Sequence, residues 1–125
     1  IRQANGGEGV HVVFDGVGRS TFDASLASLR RRGTLVVFGG ASGQVPPFDI
    51  QRLNQAGSVY LTRPNLVHYV VGRQELLRRG GEVFDLIAAG QLDIAVGGRY
   101  ALAEAAQAYA DLEGRASTGK LVLIP

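Results

Sequence analysis

The sequence predicts an α/β fold built on parallel strands, and three observations lead there. Val10–Phe14 and Thr34–Phe38 are short apolar runs rich in β-branched residues, the pattern of strands buried in a parallel sheet. Between them lies a helix-length segment with candidate capping hydroxyls and an apolar stripe. Each run is followed within two residues by glycine, which permits tight turns. Strand, helix and strand in that order make one βαβ unit, and such units are right-handed with parallel strands.

The elements follow in order. After Val10–Phe14, Asp15-Gly16-Val17-Gly18 turns the chain. Ser20 or Thr21 is expected to cap a helix with Asp23 in its first turn and Phe22, Leu26 and Leu29 along its apolar stripe. Arg30, Arg31 and Arg32 are placed at its C-terminal end, where cations suit the helix dipole, and Gly33 stops it. The segment Ala41–Phe48, with Gly43, Pro46 and Pro47, reads as loop. Asp49–Gln55 reads as one or two helical turns and Ser58–Thr62 as a third strand ended by Pro64. Leu66–Ala89 is helical in pattern, with interruption expected among Gly72, Gly80 and Gly81. The character changes after Gly90. Leu92–Val96 alternates as a strand does, Arg99–Leu102 extends or returns it, Ala103–Glu113 is an Ala-rich helix with Ala105, Ala106, Tyr109 and Leu112 on its apolar face, and Lys120–Ile124 is a last strand. A domain boundary is therefore expected near Gly90.

The chain of 125 residues fits one ordinary domain, and its 46% hydrophobic and 19% charged content supports a packed core rather than disorder. With no Cys there is neither a disulfide nor a thiolate metal site, and the two His residues, His11 and His68, lack ligand spacing; no metal is expected. A net charge of +2 gives weak support to any nucleic-acid role, so none is expected. No apolar run approaches the roughly 20 residues needed to span a bilayer. No membrane association and a cytoplasmic location are the expectation. The absent initiator Met and a start at Ile1 in mid-pattern lead us to expect a piece of a longer protein.

In open parallel sheets, ligands bind beyond the carboxyl ends of the strands. Asp15-Gly16-Val17-Gly18 and Phe38-Gly39-Gly40 stand there. Glycine at such a place either lets a dinucleotide approach the backbone or simply makes a tight turn. Gly16-Val17-Gly18-Arg19-Ser20-Thr21 matches G-x-G-x-x-G only in part, since Thr21 replaces the last glycine. The acidic residue expected about 20 residues on is also missing. This is a later βαβ unit, not the first of a dinucleotide-binding sheet. The Arg30–Arg32 run reads better as a solvated helix end than as a phosphate site. His68 and Tyr69 have nothing nearby to orient them as acid–base groups. Arg63, at a strand end before Pro64, can hold a phosphate or carboxylate, or pair with a neighbouring acid.

The stretch Val12-Val13-Phe14-Asp15-Gly16-Val17-Gly18, with Thr21-Phe22, Ser25-Leu26, Leu29-Arg30 and Arg32-Gly33, resembles the late Rossmann region of the zeta-crystallin-like quinone oxidoreductases, zinc-free members of the medium-chain dehydrogenase/reductase superfamily. Phe38-Gly39, Ala41-Ser42-Gly43, Val45-Pro46-Pro47, Leu53-Asn54 and Gly57-Ser58 continue the likeness. Leu61-Thr62-Arg63-Pro64 is its most specific part, and the ending, from Tyr100 and Leu102 through Arg115 to Gly119–Pro125, is equally similar.

The resemblance implies that residues 1–89 are the C-terminal half of a Rossmann NADPH-binding domain and that residues 90–125 are the returning segment of a GroES-like catalytic domain. It implies hydride transfer from NADPH to a quinone or similar enone. Gly16 and Val17 would lie beside the cofactor's adenosine half or its linking phosphates, Phe38 and Gly39 near the nicotinamide ribose, and Leu61, Thr62 and Arg63 near the nicotinamide. Arg115 and Lys120 would approach from the returning segment. No catalytic residue is identified; such groups and the phosphate loop are expected upstream of Ile1, so the isolated chain is expected to be inactive. An enoyl reductase module, or a non-catalytic crystallin-like binding protein on the same fold, are the alternatives. The resemblance also implies a homodimer through Ser58–Thr62, an edge strand without charge or proline until Arg63 and Pro64.

Overall fold

The computed structural model describes residues 2–114 and 117–125. By backbone contacts the chain divides into two compact units, Ile1–Tyr69 and Val70–Pro125.

In the first unit, strands β1 (Val10–Asp15), β2 (Leu29–Val37) and β3 (Tyr60–Thr62) form a parallel sheet in that order. Helices α1 (Phe22–Ser28) and α2 (Gln51–Gln55) lie between them in the chain. The α/β fold with parallel strands is as expected. The core forms where the apolar side of α1 meets the sheet: Phe22, Leu26, Leu29, Leu35, Val37 and Val59 are buried together, with Val45, Phe48 and Leu53 packed against them. The Phe22 and Phe48 rings meet tilted at 5.0 Å between centroids, a favourable aromatic arrangement. Arg52 lies over both rings and pairs with Asp23. The β1 run is only half covered, for Val12 and Phe14 are 43% and 72% exposed. Val12 and Phe14 share one face, so a run that reads as buried on both faces finds cover on one.

The Arg30–Arg32 run departs from expectation. α1 ends at Ser28, and all three arginines lie in β2, exposed to solvent. Leu29 pairs with Val10 and is fully buried; that burial ends the helix one turn early. The pairing then slips, from Val10 with Leu29 to Val12 with Thr34. The extra residues form an irregularity in which Arg32 takes a left-handed φ of 58° and its N–H donates to the Gly57 carbonyl. Thr21 does precede α1, but its hydroxyl makes no capping bond to the helix.

In the second unit, α3 (Arg73–Ala88) runs unbroken through Gly80 and Gly81. The interruption lies earlier, at Val70–Gly72, after a 3-10 turn over Leu66–Tyr69. Leu92–Ala95 is not strand; the pairing begins at β4 (Val96–Ala101), which lies parallel to β5 (Lys120–Ile124), with α4 (Ala105–Glu113) between them in the chain. Tyr100 on β4 donates to Asp111 on α4 at 2.8 Å; bonding to that carboxylate raises the Tyr100 pKa.

Candidate strand-end site

Parallel pairing decides which residues meet. Asp15 lies opposite Val37, and Val36 lies opposite Thr62. All three strands therefore end at one edge of the sheet. This edge brings together Gly16, Val17, Phe38, Gly39, Leu61, Thr62 and Arg63, seven of the nine predicted cofactor contacts. Lys120 belongs to the other unit, at the start of β5, where it is exposed. Arg115 lies outside the described residues.

The first turn is organised by Asp15, a turn residue that local pattern does not mark as part of a site. The Asp15 carboxylate is buried and accepts from Val17 N at 2.9 Å, Gly18 N at 3.0 Å, and the hydroxyls of Thr21 and Ser25 at 2.8 Å. Burial alone would raise its pKa; the hydrogen bonds from Gly18, Thr21, Val17 and Ser25 outweigh that and lower it to about 2. Asp-Gly after a strand was the available signal. The Thr21 and Ser25 donors lie six and ten residues on, a spacing without a local signature.

The second turn is fitted to the first. The Asp15 carbonyl accepts from Phe38 N at 2.9 Å and Gly39 N at 3.3 Å. A Cβ on Gly39 would come within 2.3 Å of the Gly16 carbonyl oxygen, so no other residue fits there without moving the backbone. Ser42 bridges the two turns: its hydroxyl donates to Val17 O at 2.7 Å and accepts from Ser20 N at 3.0 Å. Arg19 N donates to the Gly43 carbonyl at 3.1 Å.

The third strand end carries Arg63, whose Nη1 donates to the carbonyls of Phe38 and Pro64, both at 3.1 Å. Among the described residues no carboxylate pairs with it. Two hollows flank its side chain. One, of about 510 Å³, is mainly apolar and lined by Gly39, Val45, Pro46, Phe48 and Leu61 among others. The other, of about 620 Å³, is lined by Phe38, Pro64, Asn65 and Leu66. A cation held by carbonyls over an apolar hollow suits a ligand with a flat ring and a polar rim. His68 and Tyr69 fall in the 3-10 turn. No helix among the described residues is long and apolar enough to cross a membrane.

A family model described as zinc-binding dehydrogenase matches residues 1–123. A quinone oxidoreductase of Salmonella typhimurium is 46% identical over 127 residues, covering 100% of this chain and 39% of that protein. A 2-haloacrylate reductase of a Burkholderia species is 39% identical over 126 residues, with 100% and 38% covered. Among solved structures, a mycobacterial protein complexed with NADPH superposes with a TM-score of 0.90 at 57% identity, over 99% of this chain and 38% of that one. Escherichia coli quinone oxidoreductase complexed with NADPH does so with a TM-score of 0.90 at 44% identity, over 99% and 39%. The chain thus spans about two fifths of the length of the relatives it matches.

Proposed function

The chain belongs to the zinc-binding dehydrogenase family, and from that premise we propose that it is the C-terminal part of an NADPH-dependent reductase of quinones or similar enones. The observation that carries this reading is the convergence of Gly39, Leu61 and Arg63 around one apolar hollow at the strand ends. Two solved relatives with that fold hold NADPH. Bound NADPH supplies the hydride. This chain's part is to seat the cofactor: Phe38, Gly39, Leu61 and Thr62 shape the nicotinamide end, and Arg63 fixes its polar rim. Gly16 and Val17 suit an uncharged part of the adenosine half better than a phosphate, because Val17 N is already committed to the Asp15 carboxylate. Lys120 and Arg115 remain candidates through the resemblance alone.

Zinc does not fit these residues. The chain has no cysteine, and among the described residues no group of three His, Asp or Glu side chains is placed to hold a metal ion. No step is assigned to a metal.

Within this reading, Gly90 marks the return to the catalytic domain, and the full subunit is cytoplasmic and pairs with a copy of itself through β3. Support for pairing comes from Tyr60, 63% exposed on this edge strand. Tyr60→Lys should shift the full-length protein toward monomer in sedimentation equilibrium; an unchanged dimer mass would remove β3 from the interface.

The function is tested by titrating the full-length protein with NADPH and following NADPH oxidation with benzoquinone and with an enone. Micromolar binding and turnover of at least one acceptor are expected. Arg63→Ala should raise the KM for NADPH about tenfold, near 1.4 kcal/mol, with little change in melting temperature. The isolated 125-residue chain should bind far more weakly. Full-length protein that binds no NADPH would overturn the reading.

A further inference from the structure

Asp15 stands at the end of β1 with its carboxylate turned inward, 4% exposed. It cannot touch a ligand seated outside the strand ends, yet it holds the residues that would. Its carboxylate fixes the Val17 and Gly18 amides, and its carbonyl takes the amides of Phe38 and Gly39. Through Thr21 and Ser25 the same carboxylate ties the first turn to α1. We infer that Asp15 is a positioning residue, which sets the strand-end cleft in one shape for a nicotinamide dinucleotide without contacting it; this rests on the NADPH reading above.

The carboxylate is the right group for the task. It has only acceptors, and every hydrogen-bond partner it meets is a donor. Charge-assisted bonds of this kind are stronger than neutral ones. An asparagine has nearly the same shape but presents an NH2 where Asp15 Oδ2 now receives the Ser25 hydroxyl. That hydroxyl would have to turn, and the turn over Gly16–Gly18 would loosen. A loose turn must be ordered by the cofactor on binding, which weakens affinity without altering the hydride-transfer step.

The test uses the full-length protein. Asp15→Asn should weaken NADPH binding by about tenfold and raise its KM to match, while kcat at saturating NADPH stays within about twofold. Leu26→Ala, a core change on α1 away from the cleft, provides the control for mere destabilisation: it should lower the melting temperature at least as much and leave NADPH affinity near that of the wild type. If Asp15→Asn does not fold, Ser25→Ala removes one donor and should weaken binding in the same sense, by about threefold. Wild-type affinity in Asp15→Asn, or in Ser25→Ala where the first fails to fold, overturns the inference, as does an equal loss in Leu26→Ala. A wild-type protein that does not bind NADPH overturns the cofactor reading itself, a separate result.

Discussion

In the first unit, Phe22 and Leu26 of α1 are buried against Leu35 and Val37 of β2, whereas in the second unit Leu76, Leu77 and Phe84 of α3 are all exposed. Both stretches carry large apolar side chains. Six of the seven buried hydrophobics among the described residues belong to the first unit; the second contributes Ala108 alone. In this chain three parallel strands with a helix across them enclose a core, while the two strands β4 and β5 with their connecting helix bury Ala108 alone among the described residues. An apolar pattern records what a helix is able to bury; whether it does so depends on another surface being present. α3 draws its support locally, from Arg79 with Glu75 and Arg78 with Glu82 at one-turn spacing. Such exposed pairs contribute only about 0.3–0.5 kcal/mol each.

The sharpest way to break this contrast is a matched truncation. Leu35→Ala removes a fully buried side chain from the central strand and should cost about 2–5 kcal/mol. Phe84→Ala, at a position 71% exposed, should change the stability of this chain by less than about 0.5 kcal/mol. Urea denaturation of both variants decides it, and equal losses would show that the second unit has a core of its own.

Acid should act on the first unit through Asp15. Its pKa in the fold is depressed from 3.8 to about 2, so the folded state binds its proton less readily than the unfolded chain does. The stability this supplies is complete above the ordinary value and is lost as pH falls from about 4 towards 2. The difference in urea midpoint between wild type and Asp15→Asn should therefore narrow across that window. A constant difference down to pH 2 would assign the effect to shape rather than charge.

A small gain is expected in the second unit. A Cβ added at Gly80 or Gly81, both inside α3, meets nothing within 4 Å. Gly80→Ala and Gly81→Ala should each stabilise the helix by about 0.5–1 kcal/mol in this chain. Circular dichroism melts that show a loss instead would mean that these positions pack closely against a surface.

Sequence alone determined the strands β1 and β5, the Thr34–Val37 part of β2, the loop Ala41–Phe48 and the placing of Gly16, Gly39 and Arg63 at strand ends. These are legible because β-branched runs and the glycines after them act within a few neighbours. The family, too, was legible, since its residues recur along nearly the whole chain. Tertiary structure decided where α1 stops, because burial of Leu29 against β1 outweighs the preference of three arginines for a helix end. It also carried α3 past two glycines. Above all it made the site a single object. The Ser42 hydroxyl reaches Val17 across 25 residues of chain, and Arg63 reaches the Phe38 carbonyl across another 25. Hydrogen bonds between such distant positions follow from parallel strands ending at one edge, and no local pattern encodes them.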